Sequence, residues 1–159
     1  MNRVKLWIIY KEGFSFSKMI AEMLQDRLED YIDISVGNAK KIDPAFLVEE
    51  RLGYLIIGDV VSDLTPSAEI QNWLFKYKEI SKNKNLTIKG ASGFYIVMND
   101  DSVQPLWAEF LKDNVKAEII HPPILLLKLS KTDLSLENGA LEAIKGYIND
   151  IIDFFINND

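Results

Sequence analysis

Segments with the apolar pattern of a strand alternate with segments of helical apolar spacing from one end of the chain to the other. Residues 4–10 form an almost continuous apolar run, and Ile20, Met23, Leu24 and Leu28 then recur at helical spacing. Five such strand–helix units follow one another. Because right-handed crossover helices must cover a parallel sheet, the alternation predicts a three-layer α/β fold with a five-stranded parallel sheet.

The second strand-like segment predicts the strand order. Ile32, Ile34 and Val36 alternate with Asp33 and Ser35, which is typical of a strand covered on one face and therefore of an edge. With this segment at an edge, the order 2-1-3-4-5 fits best. Ligands of such sheets bind beyond the carboxyl ends of the strands, at the switch between the first and the third strand.

Turn residues and prolines bound the remaining predicted elements. In chain order these are a helix opened by Asp43-Pro44 and running to Leu52, a strand at 54–57 that stops at Gly58-Asp59, a helix begun by Thr65-Pro66, a loop at 81–85, a strand at 94–98, a helix at 106–111, strand pieces at 117–120 and 124–129 separated by Pro122-Pro123, and a C-terminal helix with Leu141, Ile144, Ile148, Ile151, Ile152 and Phe155 on its apolar stripe. Trp7, Trp73 and Trp107 lie on these apolar patterns and are predicted to be buried.

Length and composition predict one globular domain over residues 1–159 and exclude several kinds of chemistry. The apolar content is 48% and the formal net charge is −6, which argues against a nucleic-acid or anionic-membrane partner. The chain has no cysteine, and its single histidine, His121, is predicted to lie at the surface or rim. No run approaches the roughly 20 apolar residues of a membrane span, and no signal peptide is recognisable, so a cytoplasmic location is expected.

The loop between the first strand and the first helix is the strongest candidate site. Residues 8–18 run from an apolar strand through a short loop into an amphipathic helix, with Ser17 placed to cap that helix. Backbone N–H groups at such a helix N-terminus can hold an anion. The alternative is a plain connection whose serines cap the helix, with Phe14 and Phe16 filling the space that a phosphate would take.

The chain has a strand ending at Tyr10, a seven-residue loop and Ala21-Glu22 in the following helix, and later residues 56–58 followed by residues 68–74. With these segments it resembles, over nearly its whole length, the flavodoxin-like proteins, in particular single-domain flavodoxins and the menaquinone-dependent protoporphyrinogen oxidase group. The resemblance implies FMN as the cofactor, with its phosphate in the first loop and its ring between the loops after the third and fourth strands. The residues that the resemblance assigns to cofactor binding are Gly13, Phe14, Ser15, Phe16, Ser17, Val60, Val61, Ser62, Asn99 and Asp100.

The first loop departs from the family's phosphate motif. Ser15 stands where the family has glycine, Gly13 and Phe14 stand where it has hydroxyl residues, and Glu12 places a negative charge near the expected phosphate. The resemblance therefore implies an FMN-binding electron-transfer or quinone-linked redox protein, with a redox partner protein and weak affinity for FMN. It favours an electron carrier or binding module over a stand-alone enzyme.

Two alternatives stay open from the sequence. One is a flavin-free interaction or regulatory module of the same fold. The other is a phosphate-accepting receiver domain, in which Asp59 would be phosphorylated beside a cation held with Glu12 and Asp100. Under the flavin hypothesis, Asp59, Asp63, Asp100 and Asp101 are predicted to form an exposed acidic rim that disfavours the anionic flavin hydroquinone.

Overall fold

The computed structural model describes residues 4–12, 15–61, 65–97, 104–121, 124–129 and 135–157. The elements are, in chain order, β1 (Lys5–Tyr10), α1 (Phe16–Leu28), β2 (Asp33–Asn38), α2 (Pro44–Glu49), β3 (Tyr54–Val61), α3 (Ala68–Asn83), β4 (Ile88–Val97), α4 (Gln104–Asn114), β5 (Ala117–Ile120), β6 (Leu125–Lys128) and α5 (Ala140–Ile151), which continues as a π-helical segment (Ile152–Asn157).

The strands form one parallel sheet in the order β2-β1-β3-β4-β5, as predicted, and β2 is an edge strand. A sixth strand, β6, also pairs with β4 in parallel. β5 pairs with the first part of β4, at Ile88 to Ala91, whereas β6 pairs with its last part, at Phe94 to Val97. The predicted fifth strand is thus present as two pieces that lie one after the other along β4.

Alternate residues of the strands are buried in two separate hydrophobic clusters, one on each face of the sheet. On one face, Leu6 and Ile8 of β1 pack with residues of α1 and α5. On the other face, Trp7 and Ile9 pack with residues of α2, α3 and α4. All three tryptophans are buried as predicted. Both faces of the sheet are therefore covered, which leaves the ends of the strands as the places where a ligand can approach.

Several predicted boundaries are wrong for local reasons. α3 begins at Ala68 rather than at Thr65-Pro66, because Ser67 is its N-cap and accepts a hydrogen bond from the Ile70 N–H at 3.3 Å. It also continues to Asn83, through most of the predicted loop. α2 ends at Glu49, since Arg51 adopts a left-handed backbone with φ of 57°.

Two further corrections concern β4 and α5. β4 begins at Ile88, six residues earlier than predicted. The prediction missed this part because its small residues are not typical of a strand. In the structure, these small residues leave room for large side chains to pack over the centre of the strand. Leu141 was predicted on the apolar stripe of α5 but is 52% exposed, since it lies in the first turn, ahead of the buried face that starts at Ile144.

In the described part of the chain, no helix is long and apolar enough to cross a membrane.

His121 is not at the rim as predicted, because its side chain is 1% exposed. It follows β5, and its ring lies 4.2 Å from the ring of Phe154 and 6.0 Å from that of Tyr147, between centroids. Neither ring nitrogen has a hydrogen-bond partner among the described residues. Burial lowers the pKa of His121, and the carboxylate of Asp150 opposes this effect.

We expect acid to destabilise the protein through His121. Its pKa is lower in the folded than in the unfolded chain, so the unfolded chain binds the extra proton first and stability is lost as the pH falls below about 6.5. His121→Phe keeps a ring against Phe154 and removes both unpartnered nitrogens. The variant should gain about 1 kcal/mol at neutral pH, and its advantage should increase towards about pH 5. Urea unfolding of both proteins across this range measures the difference, and parallel pH profiles would contradict the assignment.

Candidate site at the carboxyl ends of β1 and β3

Backbone hydrogen bonds bring the carboxyl ends of three strands together. The Lys11 N–H, directly after β1, donates to the Gly58 carbonyl of β3 at 2.8 Å. On the other side, the Ala39 N–H, directly after β2, donates to the Tyr10 carbonyl of β1 at 2.9 Å. Since α1 begins only a short loop beyond β1, its N-terminus lies at this same edge of the sheet.

The N-terminus of α1 has no side-chain cap. Its N-cap residue is Ser15, which is exposed, has a left-handed backbone with φ of 63° and makes no side-chain cap hydrogen bond. The first intrahelical bond runs from the Met19 N–H to the Ser15 carbonyl at 3.0 Å. The N–H groups of the preceding helical residues therefore have no acceptor within the helix and can receive an anion.

Ser17 is not the cap of α1, contrary to the prediction. The helix begins at Phe16, so Ser17 lies inside the first turn, where its side chain is fully buried. Its hydroxyl has no hydrogen-bond partner among the described residues. A buried hydroxyl without a partner is costly and rare in proteins. Its position beside the free helix N–H groups fits a site that is completed by an external acceptor.

The charges around this helix end are mixed. The Glu12 carboxylate accepts a hydrogen bond from the side-chain NH₂ group of Asn38 in β2 at 3.2 Å. The side-chain oxygen of Asn38 accepts a hydrogen bond from the Lys40 N–H. Burial raises the pKa of Tyr10, and the negative charge of Glu12 adds to this, whereas Lys18 lowers it. Glu12 and Lys18 are therefore both close enough to influence a ligand beside Tyr10, with opposite signs.

Asp59 is buried within β3, and this overturns its predicted place on an exposed acidic rim. β3 continues through Val61 instead of stopping at Gly58, and Asp59 is 0% exposed. Its carboxylate accepts hydrogen bonds from the N–H groups of Val60 (2.8 Å) and Ser67 (3.0 Å) and from the Trp107 indole (3.0 Å). Both carboxylate oxygens are already engaged by these donors, so Asp59 has no free oxygen to receive a phosphoryl group, which contradicts the receiver hypothesis.

Burial raises the pKa of the Asp59 carboxyl above its ordinary value, although its hydrogen bonds with Ser67, Trp107 and Val60 act in the opposite direction. The carboxyl links β3 to the N-cap of α3 and to α4. It therefore fixes where the connection after β3 begins and ends. Its role is to position this part of the site and not to contact a ligand.

The other predicted site residues fall into two groups. Phe16 is half-buried and packs against the same hydrophobic cluster that contains Val60, whereas Val61 is buried in the cluster on the opposite face. Five of the predicted site residues lie outside the described part of the chain, namely Gly13, Phe14, Ser62, Asn99 and Asp100. The predicted rim residues Asp63 and Asp101 also lie outside it. Among the residues that are described, no group of three or more acidic, histidine or cysteine side chains is placed to hold a metal ion.

Sequence reasoning missed two residues of this region. Asn38 orients Glu12, and its place at the end of an alternating strand was a usable signal for a residue at the ligand edge. Trp107 was predicted only as a core residue. No sequence signal connects its indole N–H with Asp59, because 48 positions separate them and only the packing of α4 on the sheet brings them together.

Known structures with a similar fold include flavodoxins and a rubredoxin oxygen:oxidoreductase. A flavodoxin from the domain Archaea is 14% identical, with a TM-score of 0.70 over 95% of this chain and 96% of that one. Flavodoxin 2 from Bacillus cereus is 15% identical, with a TM-score of 0.71 over 94% of this chain and 99% of that one. Rubredoxin:oxygen oxidoreductase from Desulfovibrio gigas is 15% identical, with a TM-score of 0.69 over 92% of this chain.

The chain spans only 35% of the Desulfovibrio gigas protein. No protein-family model matches the sequence, and no curated protein is significantly similar to it. The structural similarity extends over nearly the whole chain at low sequence identity, and it therefore establishes the fold. The protein has a flavodoxin-like fold.

Proposed function

We propose that the protein binds FMN at the carboxyl ends of β1 and β3 and acts as an electron-transfer or quinone-linked redox protein. The observation that carries the proposal is the buried, unpartnered Ser17 hydroxyl beside the uncapped N-terminus of α1. Together they offer one O–H donor and several N–H donors to a phosphate. FMN would supply the redox chemistry, while the protein binds and orients it.

Each proposed residue has a specific task. The backbone N–H groups of Ser15 to Ser17 and the Ser17 hydroxyl would hold the phosphate. Gly13 and Phe14, which precede them, would complete that loop. The segments after β3 and β4 would flank the flavin ring, through Ser62, Asn99 and Asp100, and the last residues of β3, Val60 and Val61, would support the first of these segments from the hydrophobic core. A redox partner protein would then approach this edge of the sheet.

The proposed site is weak because of Glu12. A phosphate dianion at the N-terminus of α1 is repelled by this carboxylate at a cost on the order of 1 kcal/mol or more. The hydrogen bond from Asn38 holds the carboxylate towards β2 but leaves its charge in place. The protein should therefore bind FMN less tightly than flavodoxins do and purify largely without it.

Titration with FMN, followed by quenching of flavin fluorescence, tests the proposal. Glu12→Thr should tighten binding by about fivefold or more, because it removes the repulsion and adds a hydroxyl donor. Ser17→Ala should weaken binding by about fivefold, the equivalent of one hydrogen bond. Because Ser17 is not the cap and its hydroxyl is unpartnered, Ser17→Ala should not lower thermal stability, so the weaker binding would report on the lost contact alone.

Glu118→Thr is the matched control, since Glu118 is an exposed carboxylate on β5, at the far side of the sheet. It should leave FMN affinity unchanged. If Glu12→Thr and Ser17→Ala are equally without effect while FMN binds, the phosphate lies elsewhere. If no variant binds FMN and all remain colourless, the flavin-free interaction module is the better description.

A further inference from the structure

A pocket rich in lysine lies at the end of the molecule opposite the candidate FMN site. It has a volume of about 430 Å³ and is formed by the C-terminal parts of α3 and α4 and the segments that follow them. Because these helices run antiparallel to the strands, their C-termini lie at the amino edge of the sheet. β4 has ten residues and separates the two edges by about 30 Å. A ligand in this pocket cannot touch FMN.

Four lysines, Lys78, Lys82, Lys112 and Lys116, line this pocket together with one carboxylate, Asp113. All four are exposed, and within the described part of the chain none of them forms an ion pair. The lysines of the described ion pairs lie elsewhere. This concentration of positive charge is notable in a chain whose net charge is −6.

Helix-end electrostatics account for only part of this cluster. Lys82 and Lys112 lie in the last turns of α3 and α4, where a cation complements the helix dipole. Lys78 lies more than a turn before the end of α3, and Lys116 follows α4 beyond its last residue. Like charges around one concave surface repel each other, and an anion in the pocket would relieve that repulsion.

An aromatic pair, in which one ring is exposed and the other is half-buried, adjoins the lysines. Phe75 of α3 is 50% exposed and contacts Phe110 of α4, with ring centroids 5.4 Å apart. Phe75 lies one turn before Lys78 on the same face of α3, because residues three or four apart are neighbours on a helix. Leu106, one turn before Phe110, is 47% exposed. The surface between the two helices is therefore apolar at one end and basic at the other.

We propose that this surface, the lysine pocket with the Phe75–Phe110 pair, binds a short acidic segment of a partner protein. Carboxylates of the segment would occupy the pocket among the four lysines, and a large apolar side chain next to them would cover the two phenylalanine rings. A long polyanion such as a nucleic acid fits poorly, since it would extend past the four lysines onto a negatively charged protein surface. The proposal is independent of FMN binding.

The test uses a fluorescently labelled, glutamate-rich peptide with a central leucine, and binding is measured by fluorescence anisotropy. The unmodified protein should bind it, with an affinity that falls as salt is added. Lys82→Glu/Lys112→Glu should weaken binding by tenfold or more, because it replaces attraction with like-charge repulsion. Phe75→Ser should weaken it by about fivefold through the lost apolar contact. Backbone NMR shifts on peptide addition should concentrate in α3 and α4.

The control double variant is Lys41→Glu/Lys145→Glu, which makes the same change in net charge at exposed lysines outside this surface. It should bind the peptide like the unmodified protein. The proposal is overturned if both double variants lose affinity equally, since net charge alone would then explain binding. It is also overturned if a peptide with serine at the centre, or tripolyphosphate, binds as tightly as the leucine peptide, or if no binding is seen up to about 1 mM peptide.

Discussion

Replacing Asp59 with alanine should lower the free energy of unfolding by about 3 kcal/mol, because two buried N–H donors and one half-buried N–H donor lose their acceptor together. The donors are the N–H groups of Val60 and Ser67 and the Trp107 indole. The loss is smaller than the sum of three full penalties, since the variant also avoids burying the carboxyl, whose pKa burial raises. Urea unfolding monitored by circular dichroism measures the effect.

Asp59→Asn separates the contribution of the hydrogen bonds from the cost of burying a charged carboxyl group. The amide keeps the size of the side chain but has one acceptor oxygen, and its NH₂ group faces an N–H donor. We expect a loss of about 2 kcal/mol, between alanine and the unmodified protein. Asp26→Ala is the control, because Asp26 is an exposed carboxylate on α1 and should change stability by less than about 0.5 kcal/mol. If Asp59→Ala is as mild as this control, the carboxyl does not hold β3, α3 and α4 together.

Gly93→Ala should cost about 2–3 kcal/mol, although it adds a single methyl group. A Cβ on Gly93 would lie 2.5 Å from the Trp107 ring and 2.9 Å from the Ile57 carbonyl oxygen. The ring is 1% exposed and is stacked on Tyr95, with centroids 5.1 Å apart, so it has little freedom to move. Any movement of the ring also strains the hydrogen bond from its indole to Asp59.

Gly146→Ala is the matched control for this substitution. Gly146 is exposed within α5, and nothing lies within 4 Å of the Cβ that it would gain. Alanine there should stabilise the protein by about 1 kcal/mol, since it is the better helix former. In a Trp107→Leu background, Gly93→Ala should cost less than in the unmodified protein, because the ring that it would strike is gone. Equal costs in both backgrounds would place the clash elsewhere.

The sequence alone determined the class of fold and the strand order. The segment from Ile32 to Val36 alternates, whereas the predicted strands at 4–10 and 54–57 are almost continuously apolar, and this contrast indicates which strand is at the edge. A strand covered on both faces needs apolar side chains at every position, and a strand covered on one face needs them only at every second position. The break in the fifth strand was likewise visible at Pro122-Pro123. The sequence also indicated the loop before α1 as the candidate site. These features are local, and each leaves its signature within about ten residues.

Only the tertiary structure decided what lies inside. His121 and Asp59 both have the polarity of surface residues, and both are buried because α4 and α5 pack over the ends of strands that are distant in sequence. The early start of β4 is a second example, since Gly90 and Gly93 are strand residues only because Tyr54, Phe155 and Trp107 fill the space above them. Contacts between distant segments depend on packing, and packing is not encoded in any one local pattern.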